Sequence, residues 1–257
     1  MAKTIYISTS DHGVNRNKCL KSGCYEDKHT KPIGDEAARH LRYNGFNVII
    51  GTSDDIYARC REANNKGVDL YVPIHTNASS SASARYLMFM FWQDNAAHRA
   101  LFNAVAPKLE AVYPGNLKSK FAVRQDLIEI NSVEAMVLYC ELGFHTNRTD
   151  VDNFIHNPKM VGKALAQGIC AYYGVSFKDA DAVEEKKEEK KEEKKVDGLY
   201  LVKVASEIAI YKAPLESTEK CPKGTYTIVE EKNGFGKLKS STEKKPRWIK
   251  LTDVKKV

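Results

Sequence analysis

Two apolar segments of the sequence each end on a side chain that can do acid–base or metal chemistry. Residues 69–78, DLYVPIHTNA, have the composition of a buried strand and reach His75 just before a polar turn. Residues 137–147, VLYCELGFHTN, carry a similar apolar run to Glu141, and a glycine and a polar loop follow. A buried carboxylate is costly without a cation or donors beside it, and α/β proteins place their chemistry at strand ends. The two segments therefore predict a catalytic site.

The segment nearest the N-terminus has the same order of a strand followed by polar residues. The strand-like run TIYIST leads into Asp11, His12 and Gly13, so another histidine comes shortly after a strand. A loop histidine is most often an ordinary surface residue, and His12 gains weight only from the order and spacing of the three segments.

Taken together, these segments resemble the zinc-dependent N-acetylmuramoyl-L-alanine amidases of the Amidase_3 type over about residues 3–175. In that family a ligand histidine follows the first strand and a ligand glutamate opens the first helix. A later strand ends in H-x-N-A with the second ligand histidine, and a late strand ends in E-x-G-F-x-x-N with the catalytic glutamate. The corresponding residues of this sequence are His12, Glu26, His75 and Glu141.

The resemblance implies a zinc hydrolase. His12, Glu26 and His75 would be the three protein ligands of Zn²⁺, with the fourth position left for water. Glu141 would act as general base on the zinc-activated water and then deliver the proton to the departing amine. The bond cleaved would be the amide between N-acetylmuramic acid and the L-alanine of the peptidoglycan stem peptide.

Two glutamates compete for the third ligand position. Glu26 has the spacing of the family, but Pro32 is a poor residue for a helix interior and predicts a helix that begins only near that position. Glu36 would lie on that shorter helix and is the rival ligand. Asp11 stands where the family more often has glycine, and we interpret it as a group that orients a ring nitrogen. His29 is predicted to be a surface residue.

Strand-like and helix-like segments alternate over residues 1–177, the predicted catalytic domain. This alternation predicts an α/β fold with a central, mostly parallel or mixed sheet and helices on both faces. The strand candidates are 4–8, 46–50, 69–74, 85–92, 127–130 and 135–140. The helix candidates are 35–44, 54–65, 95–112 and 158–173, and Gly45 and Gly67 mark the ends of the first two.

The rest of the chain divides into a linker and a small domain. Residues 178–196 contain the run EEKKEEKKEEKK, in which like charges four residues apart disfavour a helix, so a flexible charged linker is expected. Residues 197–257 carry several short strand candidates separated by turns, which predicts a small β-barrel. The stretch GTYTIVEEKNGFGKLKS and the later RWIKLTDVKKV resemble bacterial SH3-like (SH3b) domains, and that resemblance implies binding to the cell wall.

Composition and charge limit the other possibilities. The chain has 257 residues and a net charge of +7, of which residues 197–257 contribute +5 from 13 basic and 8 acidic residues. Such an excess fits an anionic partner or simply solubility. There is no run of about 18 apolar residues, so no membrane insertion is expected. The six cysteines do not form the pattern of a disulfide scaffold.

The resemblances to the amidase and SH3b families imply a peptidoglycan hydrolase whose partner is the bacterial wall. No apolar signal region precedes the first strand, so we expect synthesis in the cytoplasm and action at the wall after release, as in a phage-type endolysin or an autolysin. Two other readings stay open: a non-catalytic wall-binding protein with an amidase-like fold, and a zinc peptidase that cuts within the stem peptide. Nucleic-acid binding is not expected, because the excess charge is modest and no phosphate-binding glycine loop occurs. The sequence leaves the oligomeric state open.

Overall fold

A computed structural model describes residues 2–12, 17–182, 200–204, 208–213, 216–242 and 245–256. The chain forms two compact units, Met1–Ala180 and Asp181–Val257. The predicted charged run at residues 184–195 lies outside the described residues. Among the helices of the described ranges, none combines the length and the apolar character that a membrane span requires.

The first unit is built on a mixed seven-stranded sheet. Its strands are β1 Thr4–Thr9, β2 Asn47–Ile50, β3 Leu70–Asn77, β4 Leu87–Phe91, β5 Lys120–Val123, β6 Met136–Val137 and β7 Tyr139–Phe144. The order across the sheet is β2-β1-β3-β7-β4-β5, and β6 also pairs with β3. All pairings in this sheet are parallel except that of β4 with β7.

Helices cover both faces of this sheet, which confirms the predicted α/β class. They are α1 Glu26–Tyr43, α2 Ile56–Lys66, α3 Ala96–Glu110, α4 Ile128–Asn131, α5 Arg148–Asp150 and α6 Pro158–Tyr172, with a π-helical turn at Val151–Ile155. The larger apolar core joins one sheet face to α1, α3 and α6. A smaller core joins the other face to α2 and α4. The two predicted C-terminal glycines are confirmed, since Gly45 and Gly67 have φ values of 87° and 55°.

The first helix begins nine residues earlier than the sequence pattern predicts. α1 starts at Glu26 and continues through Pro32, so the prediction of a helix from residue 35 is wrong at its start. Packing explains the difference, because Ile33, Ala37 and Leu41 of α1 are fully buried in the core. Burial of this face outweighs the cost of one proline in the second turn, since tertiary packing overrides local propensity.

A second prediction is also wrong, and the error concerns the site. Residues 127–130 were expected to form a strand, but residues 128–131 form the single helical turn α4, in which Asn131 N–H donates to the Leu127 carbonyl. Four residues with alternating apolar character do not distinguish a strand from one helical turn. The sequence analysis does not predict the short edge strand β5, whose two central residues are half-buried and whose two end residues are exposed, so that its four residues carry no period of two.

The second unit is an antiparallel sheet around a small core. Its strands are β8 Tyr200–Val204, β9 Ile208–Ala213, β10 Glu216–Cys221, β11 Gly224–Lys232, β12 Phe235–Leu238, β13 Trp248–Lys250 and β14 Lys255–Lys256, in the order β10-β9-β13-β12-β11-β8-β14. The predicted turn at Asn233-Gly234 joins β11 to β12 with positive φ at both residues, as a tight hairpin requires. The SH3-like assignment stays a prediction.

Gly34 allows α1 to lie close against the sheet. A Cβ atom at this position would lie 2.5 Å from the Thr9 Cγ2 atom and 3.1 Å from the Ile7 Cγ2 atom. We expect Gly34→Ala to lower the free energy of unfolding of the first unit by about 1–3 kcal/mol through overpacking. At an uncrowded helix position the same change would stabilise by up to about 1 kcal/mol. Urea denaturation of the two proteins measures the sign, and a variant more stable than the parent would contradict the close packing.

Candidate functional site

The predicted site residues His12, His75 and Glu141 lie on or just after three neighbouring strands at the centre of the first sheet. β3 lies between β1 and β7, and all three strands run in the same direction. His75 of β3 is the register partner of Glu141 of β7, and His12 follows the end of β1. The rings of His12 and His75 lie 5.7 Å apart between centroids. The prediction that strands end just before His75 and Glu141 is wrong, because β3 continues to Asn77 and β7 continues to Phe144. The pairing of these parallel strands still brings both side chains into a common region with His12.

The His75 imidazole is buried between two carboxylates. Its Nδ1 atom lies 3.0 Å from the Glu26 Oε1 atom, and its Nε2 atom lies 3.2 Å from the Glu129 Oε2 atom. The ring of Tyr139 stacks on its face at 4.9 Å. Burial by itself lowers the pKa of a histidine, but the hydrogen bonds that the ring donates to Glu129 and Glu26 outweigh it and raise the pKa of His75 above its usual value.

Glu26 is the first residue of α1, and the surrounding chain fixes its carboxylate. Its Oε1 atom accepts a hydrogen bond from Thr76 N–H at 3.0 Å, and its Oε2 atom accepts one from Asn17 Nδ2 at 2.7 Å. Burial raises the pKa of this carboxyl, yet these hydrogen bonds and that of His75 lower it to about 2. The helix N-terminus also favours a negative charge at this position.

Glu129 is a buried carboxylate that the sequence interpretation missed. It lies on α4, with 1% of its surface exposed, and its Oε1 atom accepts hydrogen bonds from Ser8 Oγ at 2.5 Å and Tyr71 Oη at 2.9 Å. Its Oε2 atom is thereby left to face His75. The signal in the sequence was an acidic residue inside the apolar run LIEI, which is costly to bury unless it has partners.

His12 is buried and offers a free ring nitrogen. Among the described residues its Nε2 atom has no hydrogen-bond partner, and the nearest carboxylate oxygen, Glu129 Oε2, lies 3.9 Å away. Burial lowers the pKa of His12 more than the Glu129 charge raises it, so the neutral ring is favoured. Asp11, expected to orient a ring nitrogen, instead accepts hydrogen bonds from Arg59 Nη2 at 2.8 Å and Thr9 Oγ1 at 2.9 Å.

Glu141 lies in an environment that suits a proton acceptor. Burial, followed by the charge of Glu26, raises its pKa from 4.5 to about 7, while the charges of His75 and Arg124 act in the opposite direction. Its Oε2 atom is buried and has no hydrogen-bond partner among the described residues. A carboxylate with a pKa near neutrality is well matched to proton transfer at neutral pH.

The structure separates the rival ligand Glu36 from this group. Glu36 lies on α1 and pairs with Arg39 at 2.5 Å and with His40 at 3.3 Å. The prediction that His29 is a surface residue is wrong, because only 2% of it is exposed and its Nε2 atom lies 2.7 Å from Thr76 Oγ1. The early helix start explains the burial of His29, since it places this residue in the first turn of α1 against Thr76 of β3.

The nitrogen and oxygen atoms around His75 are arranged so that they could bind a divalent metal ion. One nitrogen of His12, one of His75 and an oxygen of Glu129 all lie within 4.8 Å of one another. Glu26 adds a second carboxylate on the other nitrogen of His75, and the unpartnered Nε2 atom of His12 is a buried polar atom that a cation would satisfy. Imidazole and carboxylate groups in this number are typical of zinc sites.

The fold and this group define an α/β enzyme whose histidine and carboxylate groups come from adjacent parallel strands and from the helices packed against them. The family model described as N-acetylmuramoyl-L-alanine amidase (Amidase_3) matches residues 5–171. The chain therefore belongs to the Amidase_3 family, and it is an N-acetylmuramoyl-L-alanine amidase that hydrolyses peptidoglycan. Comparison with curated protein sequences gives no match.

Solved amidase structures have the same fold at low sequence identity. The amidase AmiC2 of Nostoc punctiforme is similar with a TM-score of 0.59 and 17% identity, over 67% of this chain and 97% of that one. The CwlD amidase of Clostridioides difficile, solved with the GerS lipoprotein, is similar with a TM-score of 0.59 and 18% identity, over 68% and 100%. The catalytic domain of the CD27L endolysin, which targets Clostridia difficile, is similar with a TM-score of 0.53 and 19% identity, over 66% of this chain and 97% of that one. These likenesses show the fold.

The raised pKa of Glu141 predicts a pH-dependent cost to folding in the metal-free protein. A carboxyl whose pKa is raised on folding contributes stability that is present below pH 4.5 and lost as the pH rises through about 7. Glu141→Gln keeps a neutral group at every pH. In the presence of a chelator we expect the variant to match the parent near pH 4 and to exceed it above pH 7 by on the order of 2–3 kcal/mol. Denaturant unfolding across this pH range measures the difference, and a constant difference would contradict the burial of an ionisable Glu141.

Proposed function

We propose that this amidase is a zinc enzyme in which His12, Glu26 and His75 hold the metal and Glu141 is the general base. The observation that carries the proposal is the position of the buried His75 between carboxylates, beside Glu141 on the adjacent strand. When bound, zinc would polarise the amide carbonyl and lower the pKa of the attacking water. The substrate is the peptidoglycan amide that joins N-acetylmuramic acid to L-alanine.

Glu141 carries the proton in this mechanism. Its ionised form accepts a proton from the water that attacks the amide carbon, and the protonated form then gives it to the nitrogen of the departing L-alanine. Burial of its carboxyl raises the pKa of Glu141 in the metal-free protein, and a higher pKa makes the ionised form a better proton acceptor. Tyr139 excludes water from the face of His75, because its ring stacks on the imidazole and only 8% of the residue is exposed.

The two carboxylates on His75 have different roles in this proposal. Glu26 is assigned as the ligand because it has the spacing of the family and because its Oε1 atom lies 3.0 Å from His75 Nδ1. Glu129 binds the opposite nitrogen, and a carboxylate in that position fixes the ring and its tautomer. A specific observation favours the reverse assignment, namely the 3.9 Å distance between Glu129 Oε2 and His12 Nε2.

Zinc binding by two isosteric variants separates these assignments. We expect Glu26→Gln to lose about one zinc per chain relative to the parent, because a direct carboxylate ligand is removed. Glu129→Gln should keep that zinc with an affinity reduced about 10- to 100-fold, the usual cost of losing a group that orients a ligand. Metal analysis after equilibration with buffered zinc measures both. Glu36→Gln is the matched control, and loss of zinc in Glu129→Gln alone would make Glu129 the ligand.

The catalytic role of Glu141 is tested by the products. Glu141→Gln should retain zinc and lose about 100- to 10,000-fold in activity, the range typical of general acid–base catalysis. The parent should release new N-terminal alanine from purified peptidoglycan. If the parent binds zinc but releases a new N-terminus from another residue of the stem peptide, the enzyme is a peptidase. If Glu141→Gln is as active as the parent, Glu141 is not the general base.

The second unit is proposed to bind the wall as an SH3-like domain. Residues 197–257 carry +5 of the +7 net charge, which favours anionic wall polymers. A binding unit on a tether raises the local concentration of the catalytic unit on an insoluble substrate. We expect a chain that ends at Ala180 to lyse intact walls more slowly than the full chain, while both cleave soluble muropeptides at similar rates. Equal rates on intact walls would contradict a wall-binding role.

A further inference from the structure

Four metal-binding side chains lie together next to the catalytic group and take no part in its chemistry. They are Cys19, Cys24, His29 and His156, and one ligand atom of each lies within 4.8 Å of the corresponding atoms of the others. The Cys19 Sγ atom lies 3.6 Å from His156 Nε2, and the Cys24 Sγ atom lies 3.3 Å from His29 Nδ1. We propose that these four residues form a second Zn²⁺ site with a structural role, separate from the catalytic one.

The distances and residue types fit tetrahedral zinc. Ligand atoms at about 2.0–2.3 Å from a tetrahedral ion lie roughly 3.3–3.8 Å from one another, which includes both distances above. Two cysteines and two histidines are a complete ligand set of the structural kind, in which no position is left for water. The two cysteines and His29 are buried, so three of the four ligand side chains are shielded from solvent.

The local backbone holds the two cysteines side by side. Lys18 and Tyr25 form an antiparallel bridge, and Cys19 N–H donates to the Cys24 carbonyl at 3.1 Å. The turn between them includes Gly23 with φ of 72°, a value that favours glycine. This hairpin leads directly into α1, and Glu26 N–H donates to the Asn17 carbonyl at 2.9 Å, so the position of the hairpin is coupled to that of Glu26.

The two histidines come from elements packed against this hairpin. His29 lies in the first turn of α1, and its Nε2 atom lies 2.7 Å from Thr76 Oγ1, which in turn lies 3.0 Å from His145 Nδ1. If His29 Nε2–H donates to Thr76, the Nδ1 atom that faces Cys24 carries no proton and can bind a metal ion. Metal-binding histidines are commonly oriented by such a hydrogen bond from their other ring nitrogen. His156 directly follows the π-helical turn Val151–Ile155, and such turns are rare and frequently lie at functional sites.

The inferred ion would connect three elements around the catalytic group. It would join the hairpin at residues 18–25, the start of α1 and the end of the π-helical turn. Thr76 links this site to the catalytic one, because its hydroxyl contacts His29 and its N–H donates to Glu26. The role of the second ion is therefore to fix the backbone that presents Glu26. It does not touch the reacting atoms.

Cobalt substitution in the full-length protein tests this inference without relying on activity. Thiolate ligands give Co²⁺ a near-ultraviolet charge-transfer absorption that the sulfur-free catalytic group cannot produce. We expect this absorption in the parent and in Glu26→Gln, and its loss in the double variant Cys19→Ser, Cys24→Ser. The reduced parent should contain about two zinc ions per chain and this double variant about one. Cys170→Ala, which changes a buried cysteine elsewhere, should behave as the parent.

Other outcomes overturn the inference. A parent without thiolate-to-cobalt absorption has no Cys₂His₂ site, and this measurement does not depend on the folding of any variant. A disulfide between Cys19 and Cys24 that persists under reducing conditions, detected by mass spectrometry, would also exclude it. His156→Ala is a variant that disturbs folding less, since His156 is partly exposed. The variant should bind zinc at this site more than about 100-fold more weakly than the parent, which exceeds the usual cost of losing a group that only orients a ligand. Failure of the catalytic mechanism would leave these results unchanged.

Discussion

The clamping of the His75 imidazole between two buried carboxylates is the interaction on which the catalytic region depends. Glu26 reaches one ring nitrogen from the start of α1, and Glu129 reaches the other from α4. These helices lie on opposite faces of the sheet. Burial of two carboxylates and one imidazole is favourable only when each has partners. The site and the docking of both helices on the sheet are therefore linked.

The network around this pair of carboxylates extends to β1 and β3. Ser8 and Tyr71 hold one oxygen of Glu129. Arg59 of α2, itself buried, donates to the Thr9 carbonyl and to Asp11, and so fixes the end of β1 just before His12. Networks of this kind position reactive groups because each member restricts the rotamer of its neighbour. Glu141 differs, since its buried Oε2 atom has no partner among the described residues and its pKa is correspondingly raised.

The errors of the sequence interpretation share a physical cause. Pro32 suggested a late helix start, but the buried face of α1 outweighs the local cost of the proline. The run around Glu129 was assigned to a strand, because one helical turn is too short to show a helical period. His29 was placed on the surface for a related reason: without the early helix start, nothing indicated that it faces the core. Long-range packing decided each case, and a single sequence records it only indirectly.

The sequence by itself determined the α/β class, the amidase family and the choice of His75 and Glu141 as candidate residues on buried strands, because apolar runs that carry polar motifs leave a clear local signal. It placed the ends of both strands too early, since β3 continues to Asn77 and β7 to Phe144. It also indicated His12 and Glu26 through their order along the chain. Only the tertiary structure decided that Glu129 approaches His75 and that Glu36 does not. It alone gathered Cys19, Cys24, His29 and His156, which span 138 residues of the chain. Contacts between distant segments depend on how helices pack against the sheet, and residue spacing does not encode that geometry directly.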